Sequence, residues 1–166
     1  MMDLFLSAFI TFFVVIDPPG CAPIYASLTK GANAAQRRNM AFRAVIVASG
    51  ILLVFALFGE QLLSALHIEL NSFRIAGGIM LFLIAIDMVF EKRTERREER
   101  AQKILDTPEI EDVSVFPMAM PMIAGPGSIA SVMLLMSQNS GVDRASVILG
   151  ELATVLVLNM LALLAA

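Results

Sequence analysis

Apolar residues along this chain come in blocks rather than stripes. Five blocks stand out, at about 4–29, 40–59, 71–90, 113–137 and 145–166. Each is about as long as the helix needed to cross ~30 Å of hydrocarbon. "AVIVASGILLVFALFG" (44–59) is apolar all round. It has no polar face to offer water, which argues against a soluble amphipathic bundle. The pattern predicts an all-α polytopic membrane helix bundle with residues 1–166 as a single membrane domain.

Two blocks are interrupted. "FVVIDPPGCAPIY" (13–25) sets a carboxylate, three prolines and a glycine inside an apolar run, and "AGPGS" (124–128) breaks another, with Pro117 and Pro121 upstream. Proline has no N–H and clashes with the preceding helical turn, and glycine loosens the backbone further. Pro18, Pro19, Gly20 and Pro23 are expected to end one half-helix and start the next around Gly20–Cys21. The second restart is expected at Gly127–Ser128. Unpaired backbone groups in lipid cost several kcal/mol each, so both breaks should face protein or a wet cavity.

Polar residues gather in the connections. Lys30, Arg37, Arg38 and Arg43 mark the first, and Lys92, Arg93, Arg96, Arg97, Arg100 and Lys103 the third. Arg74 and Arg144 are the remaining basic residues of the twelve. Connections one and three fall on the same face, which the positive-inside rule makes cytoplasmic, with the N-terminus outside. The run "EKRTERREERAQK" (91–103) interleaves its signs at helical spacing, as Glu95 with Glu99 and Arg96 with Arg100. It reads as a solvated helical extension with some attraction to anionic lipid headgroups, not as a nucleic-acid patch.

Sliding the chain by 107 residues lays "SAFITFFVVIDPPG" (7–20) over "SVFPMAMPMIAGPG" (114–127). Serine, phenylalanine, isoleucine, proline and glycine coincide at Ser7/Ser114, Phe9/Phe116, Ile16/Ile123, Pro19/Pro126 and Gly20/Gly127. Each motif interrupts a hydrophobic segment near its middle. Residues 1–90 then form a first three-helix repeat, 91–112 a charged cytoplasmic connection, and 113–166 an incomplete second repeat. Three crossings per copy give an inverted topology. Five helices are present and a sixth is expected; either it was truncated, or the protein has five.

The breaks carry the candidate chemistry. Half-helix N-termini suit an anionic group, and the carbonyls ending half-helices near Ile16 and Ile123 suit a cation. Asp17 could bind a cation, exchange a proton or cap its own following helix. The candidate solute- or ion-binding residues are Asp17, Pro18, Pro19, Gly20 and Cys21 at the first break, and Gly125, Pro126, Gly127 and Ser128 at the second. Glu151 and Asn159 either line the same cavity or, for Glu151, sit near the outer interface. Arg74 and Asp87 bracket the third segment and are expected at the headgroups. "AGG" (76–78) offers small residues for close helix packing.

The chain is 58% hydrophobic, above the roughly 45–50% of soluble domains. One cysteine, Cys21, excludes an intramolecular disulfide framework and a cysteine-based zinc site. No HExxH, GxSxG or nucleotide-binding loop occurs, so neither an enzyme nor built-in ATP drive is expected, and no cofactor or metal.

"FFVVIDPPGCAPIYASLT" (12–29), "FRIAGGIMLFLIAIDMV" (73–89) and "FPMAMPMIAGPGSIA" (116–130) closely resemble the MarC family of bacterial inner-membrane proteins. The resemblance covers nearly the whole chain. It implies a multi-pass helical protein, usually of six helices, and kinship with the lysine-exporter superfamily of small-solute exporters. The residues and the resemblance together point to a secondary transporter or exporter of a small polar, amino-acid-like solute. Its partners would be that solute, a coupling proton or cation and membrane lipid, with a homo-oligomer left open. The alternative is a non-transporting membrane scaffold or sensor.

Overall fold

The computed structural model describes residues 2–90, 95–99, 102, 112–139 and 141–166. The expected connection 91–112 lies largely outside them. Helix α1 runs Met2–Ile16 and α2 Pro18–Leu28, and together they form one kinked span of 27 residues. Helix α3 spans Ala34–Ala65 and α4 Leu70–Val89. A proline segment, Ser114–Ile123, meets α5, Pro126–Gln138, at a 50° bend. Helix α6 runs Val142–Ala165. Among the described residues four helical stretches are long and apolar enough to cross a membrane, and five when the bent pair counts as one span. The protein is an all-α polytopic membrane bundle.

Local chemistry sets the ends. The Asn33 side chain accepts from the Gln36 amide at 2.9 Å while the Gln36 side chain accepts from the Asn33 amide at 3.0 Å, a reciprocal cap that starts α3. Beyond the other end of α3 the backbone turns at His67, whose φ is 56°. Glu60 and His67 are exposed there.

Helices α3 and α6 meet at the centre of the bundle. Helix α3 also packs along the proline segment and α5, while α6 packs along α1 and α2. Each central helix therefore clasps the broken span of the other half. Where α3 and α6 meet, an apolar groove of about 420 Å³ opens. Its walls pair Phe42 with Leu149, Val45 with Leu152 and Ser49 with Leu156. Every one of these pairs is separated by the same 107 residues that relate the two sequence motifs.

Helix α4 is the outlier. Among the described residues it packs mainly against α5, and only its Gly77 is buried. A Cβ at Gly77 would come within 2.9 Å of Leu134. The expected close packing at 76–78 is thus carried by Gly77, whereas Gly78 faces open space. Arg74 and Asp87, expected at the headgroups, each have a protein partner. Arg74 Nη2 donates to the Ser137 carbonyl at 2.7 Å, and Asp87 pairs with Arg96 at 2.5 Å.

Candidate binding site between the broken spans

The first break is one residue wide. Asp17 adopts a left-handed conformation, φ 58° and ψ 66°, which aspartate tolerates better than most side chains. Its Oδ1 accepts from the Gly20 amide at 3.1 Å, and its carbonyl accepts from the Cys21 amide at 3.0 Å. Pro18 and Pro19, the first two residues of α2, have no N–H to satisfy. A Cβ at residue 20 would fall 2.2 Å from Asp17 Oδ2, so the cap closes only over glycine. The new helix therefore starts at Pro18 rather than around Gly20–Cys21. Pro23 takes no part in the break; it lies inside α2.

The second break is wider and more open. Pro117 and Pro121 do more than perturb the approach. The Phe116–Pro117 and Met120–Pro121 peptide bonds are cis, and Phe116 and Met120 take extended backbone angles. Wide turns close instead, with the Met118 amide on the Val113 carbonyl and the Ala124 amide on the Ala119 carbonyl. Helix α5 then begins at Pro126, not at Gly127–Ser128, and no side chain caps it. The Gly127 and Ser128 amides belong to its first turn, where no intrahelical carbonyl reaches them.

The two breaks share one feature. The Cys21 thiol donates to the Ile16 carbonyl at 3.5 Å, and the Ser128 hydroxyl donates to the Ile123 carbonyl at 2.7 Å. Each side chain reaches back five residues to a carbonyl that the break leaves unpaired. The carbonyls expected to await a cation thus already have donors. The breaks are also adjacent: a Cβ at Gly127 would lie 3.2 Å from Val15 Cγ1 and 2.5 Å from Ile84 Cδ1.

A cavity of about 200 Å³ lies beside this contact. Gly125, Pro126, Gly127 and Ser128 line it from α5, Val15 from α1, and Ile84 and Asp87 from α4. Arg96 and Arg97, with Pro121 and Met122 of the proline segment, complete it. None of Asp17, Pro18, Pro19, Gly20 and Cys21 lines it. Asp17 joins through Arg97, whose Nη1 lies 2.9 Å from Asp17 Oδ2 and 4.0 Å from Cys21 Sγ.

This pair corrects one expectation. Residues 95–99 are helical, but Arg97 is not solvated; it is only 8% exposed. Of the roles the sequence offers Asp17, the cap on α2 is observed, and a guanidinium from the chain itself also meets its carboxylate. Arg97 looked like its neighbours in sequence. A hint was available in the rule that a carboxylate inside a membrane span needs a named partner.

Glu151 and Asn159 do not line this cavity. Both are buried in α6, Glu151 5% exposed and Asn159 not at all. Neither Glu151 Oε2 nor the two amide atoms of Asn159 find a hydrogen-bond partner. Glu151 therefore packs inside the bundle. Among the described residues no cluster of His, Cys, Asp or Glu has the geometry of a metal site.

The family model for MarC family integral membrane proteins matches residues 2–166. The chain belongs to the MarC family. The UPF0056 membrane protein MJ1677 of Methanocaldococcus jannaschii is 41% identical over 157 residues, covering 91% of this chain and 74% of that protein. The UPF0056 membrane protein YvbG of Bacillus subtilis is 34% identical over 161 residues, covering 97% and 76%. No solved structure matches. In MarC terms, the "IDPPG" and "AGPG" motifs of this chain are the two breaks, and they meet beside Val15 and Gly127.

Proposed function

We propose that this MarC protein is a secondary transporter or exporter of a small polar solute, with its central site in the cavity between the two breaks. One observation carries the reading. Two interrupted spans, distant in sequence, bring unpaired α5 amides and a buried arginine to one small cavity, a costly arrangement in a membrane unless a polar ligand uses it. The 107-residue correspondence of the Cys21 and Ser128 bonds, and of the α3–α6 groove, supports an inverted repeat of the kind built for alternating access. The cavity is smaller than the 300–1,000 Å³ or so of pockets for drug-sized ligands, which favours a small solute over a bulky one.

In this reading the protein sits in the bacterial inner membrane with residues 30–43 and 91–112 cytoplasmic. The Arg43–Asp112 pair at 2.6 Å supports a common face for those connections. A coupling proton or cation drives the cycle, membrane lipid surrounds the protein, and a homo-oligomer is compatible with the reading. Uptake and efflux of amino acids, small organic acids and small amines in proteoliposomes test the function. The expected result is flux of one class that depends on an imposed ion gradient. No flux across the panel would favour the scaffold or sensor reading. Thiol labelling of Ala35→Cys and His67→Cys variants tests orientation. An impermeant reagent should label position 67 and spare position 35 in cells whose outer membrane is permeable. The reverse pattern would invert the topology.

A further inference from the structure

We infer that Arg97 is the recognition group for an oxyanion, carboxylate or phosphate, carried by the solute, and that this oxyanion takes Arg97 from Asp17. The inference rests on the reading that the cavity is the solute site. Arg97 lines the cavity and is buried, and among the described residues its side-chain bonds leave from Nη1. No described residue takes the Nη2 and Nε donors of its planar fork, and that fork matches two oxygens of a carboxylate or phosphate. Asp17 shows that a carboxylate oxygen sits 2.9 Å from this guanidinium inside the protein.

The rest of the wall suits the same charge. The Gly127 and Ser128 amides have neither a helical acceptor nor a side-chain cap. Arg96 stands at the rim, already balanced by Asp87. The volume of about 200 Å³ holds roughly half a dozen waters' worth of solute, at ~30 Å³ each. That is the scale of a small organic acid or amino acid. Release of Asp17 strands a carboxylate within the span, and a cation arriving with the solute must then meet its charge. The displaced ion pair would thereby tie anion binding to cation binding.

The test is thermal unfolding of the purified protein in lipid-free detergent, at constant ionic strength. The probes are acetate, inorganic phosphate and alanine, against acetamide and alaninamide. The expected result is stabilisation by at least one of the anionic-group probes and by neither amide. Arg97→Gln should abolish that shift. Should this variant fail to fold with Asp17 unpaired, the Asp17→Asn/Arg97→Gln double variant carries the same test. Asp17→Asn alone removes the internal competitor and should lower the half-saturating probe concentration tenfold or more; a merely structural pair would leave it unchanged. A shift that persists without Arg97, no shift in the parent protein, or no tightening in Asp17→Asn overturns the inference.

The same melts in phosphatidylcholine vesicles with and without phosphatidylglycerol separate a headgroup from a free solute. Arg97-dependent stabilisation by phosphatidylglycerol, with no response to soluble probes, would assign the oxyanion to lipid and overturn the solute assignment. Proteoliposome flux separates this inference from the transporter reading. Arg97-dependent binding without flux sinks only the transport reading. Flux without Arg97-dependent binding sinks only the present inference.

Discussion

Arg97 and Asp17, eighty residues apart in the chain, are joined by an ion pair of 2.9 Å at the first helix break. The Asp17 carboxylate carries two loads. Oδ1 caps α2 through the Gly20 amide, and Oδ2 holds Arg97 beside the cavity.

The two loads separate by substitution. Asp17→Asn keeps an oxygen for the Gly20 amide but removes the charge, whereas Asp17→Ala removes both. Asp17→Ala should therefore be less stable than Asp17→Asn by about 1 kcal/mol, the usual value of an N-cap. Arg97→Gln should destabilise by less than the ~3–5 kcal/mol of a fully buried broken pair, because the Asp17 side chain is 22% exposed. The Asp17→Asn/Arg97→Gln double variant should recover much of the loss. Thermal melts of the four variants check this, and additive losses would show that the pair is not coupled.

Gly127 sets the distance between the two breaks. Gly127→Ala places a methyl within 2.5 Å of Ile84 Cδ1 and 3.2 Å of Val15 Cγ1. The flexible Ile84 tip can shift, so a loss of about 1–3 kcal/mol is expected. Ile84→Ala in the same chain should relieve part of it. A Gly127→Ala protein as stable as the parent would mean that the spans separate freely there.

A surface clasp gives a pH signature. Hydrogen bonding from Ser114, whose amide donates to Asp112 Oδ1 at 2.9 Å, and the charge of Arg43 hold the Asp112 carboxyl below its usual 3.8, despite some opposing desolvation. Its folded value is depressed, so its stabilising contribution is complete above about pH 4 and fades as pH falls through the lower folded value. Both partners are substantially exposed, so the effect is small and screened by salt. Comparing acid melts of the parent with Asp112→Asn should show the difference vanish at low pH. A difference that grows with acidity would refute the assignment.

Asn159 is the test of a buried polar group without a partner. Its equivalent at the 107-residue offset is Leu52, an apolar residue also fully buried. Asn159→Val, close in volume, should raise stability by about 1–2 kcal/mol by removing two unpaired amide atoms. If the melting temperature instead falls, the amide has a partner in the membrane, such as water or solute. If stability rises while flux falls, the amide acts in transport.

The sequence by itself determined the membrane bundle, its spans and the places where two of them break. Those features follow from local chemistry. A run without a polar face has to meet lipid or protein, and proline cannot donate to a helix wherever it lies. The offset of 107 residues was also legible, because Pro19 and Gly20 fall on Pro126 and Gly127. Tertiary structure decided the rest. Pro18 and Pro126 start their helices while Pro23 is absorbed, since a cap at Asp17 already closes the first break. Arg97 differs from Arg96 only in which side of a short helix meets α2, and interleaved charges read alike whether they face water or a buried carboxylate. Glu151 and Asn159 are polar letters in an apolar block. Only the packing of α6 against α1, α2 and α3 turns them inward, away from the cavity they were expected to line.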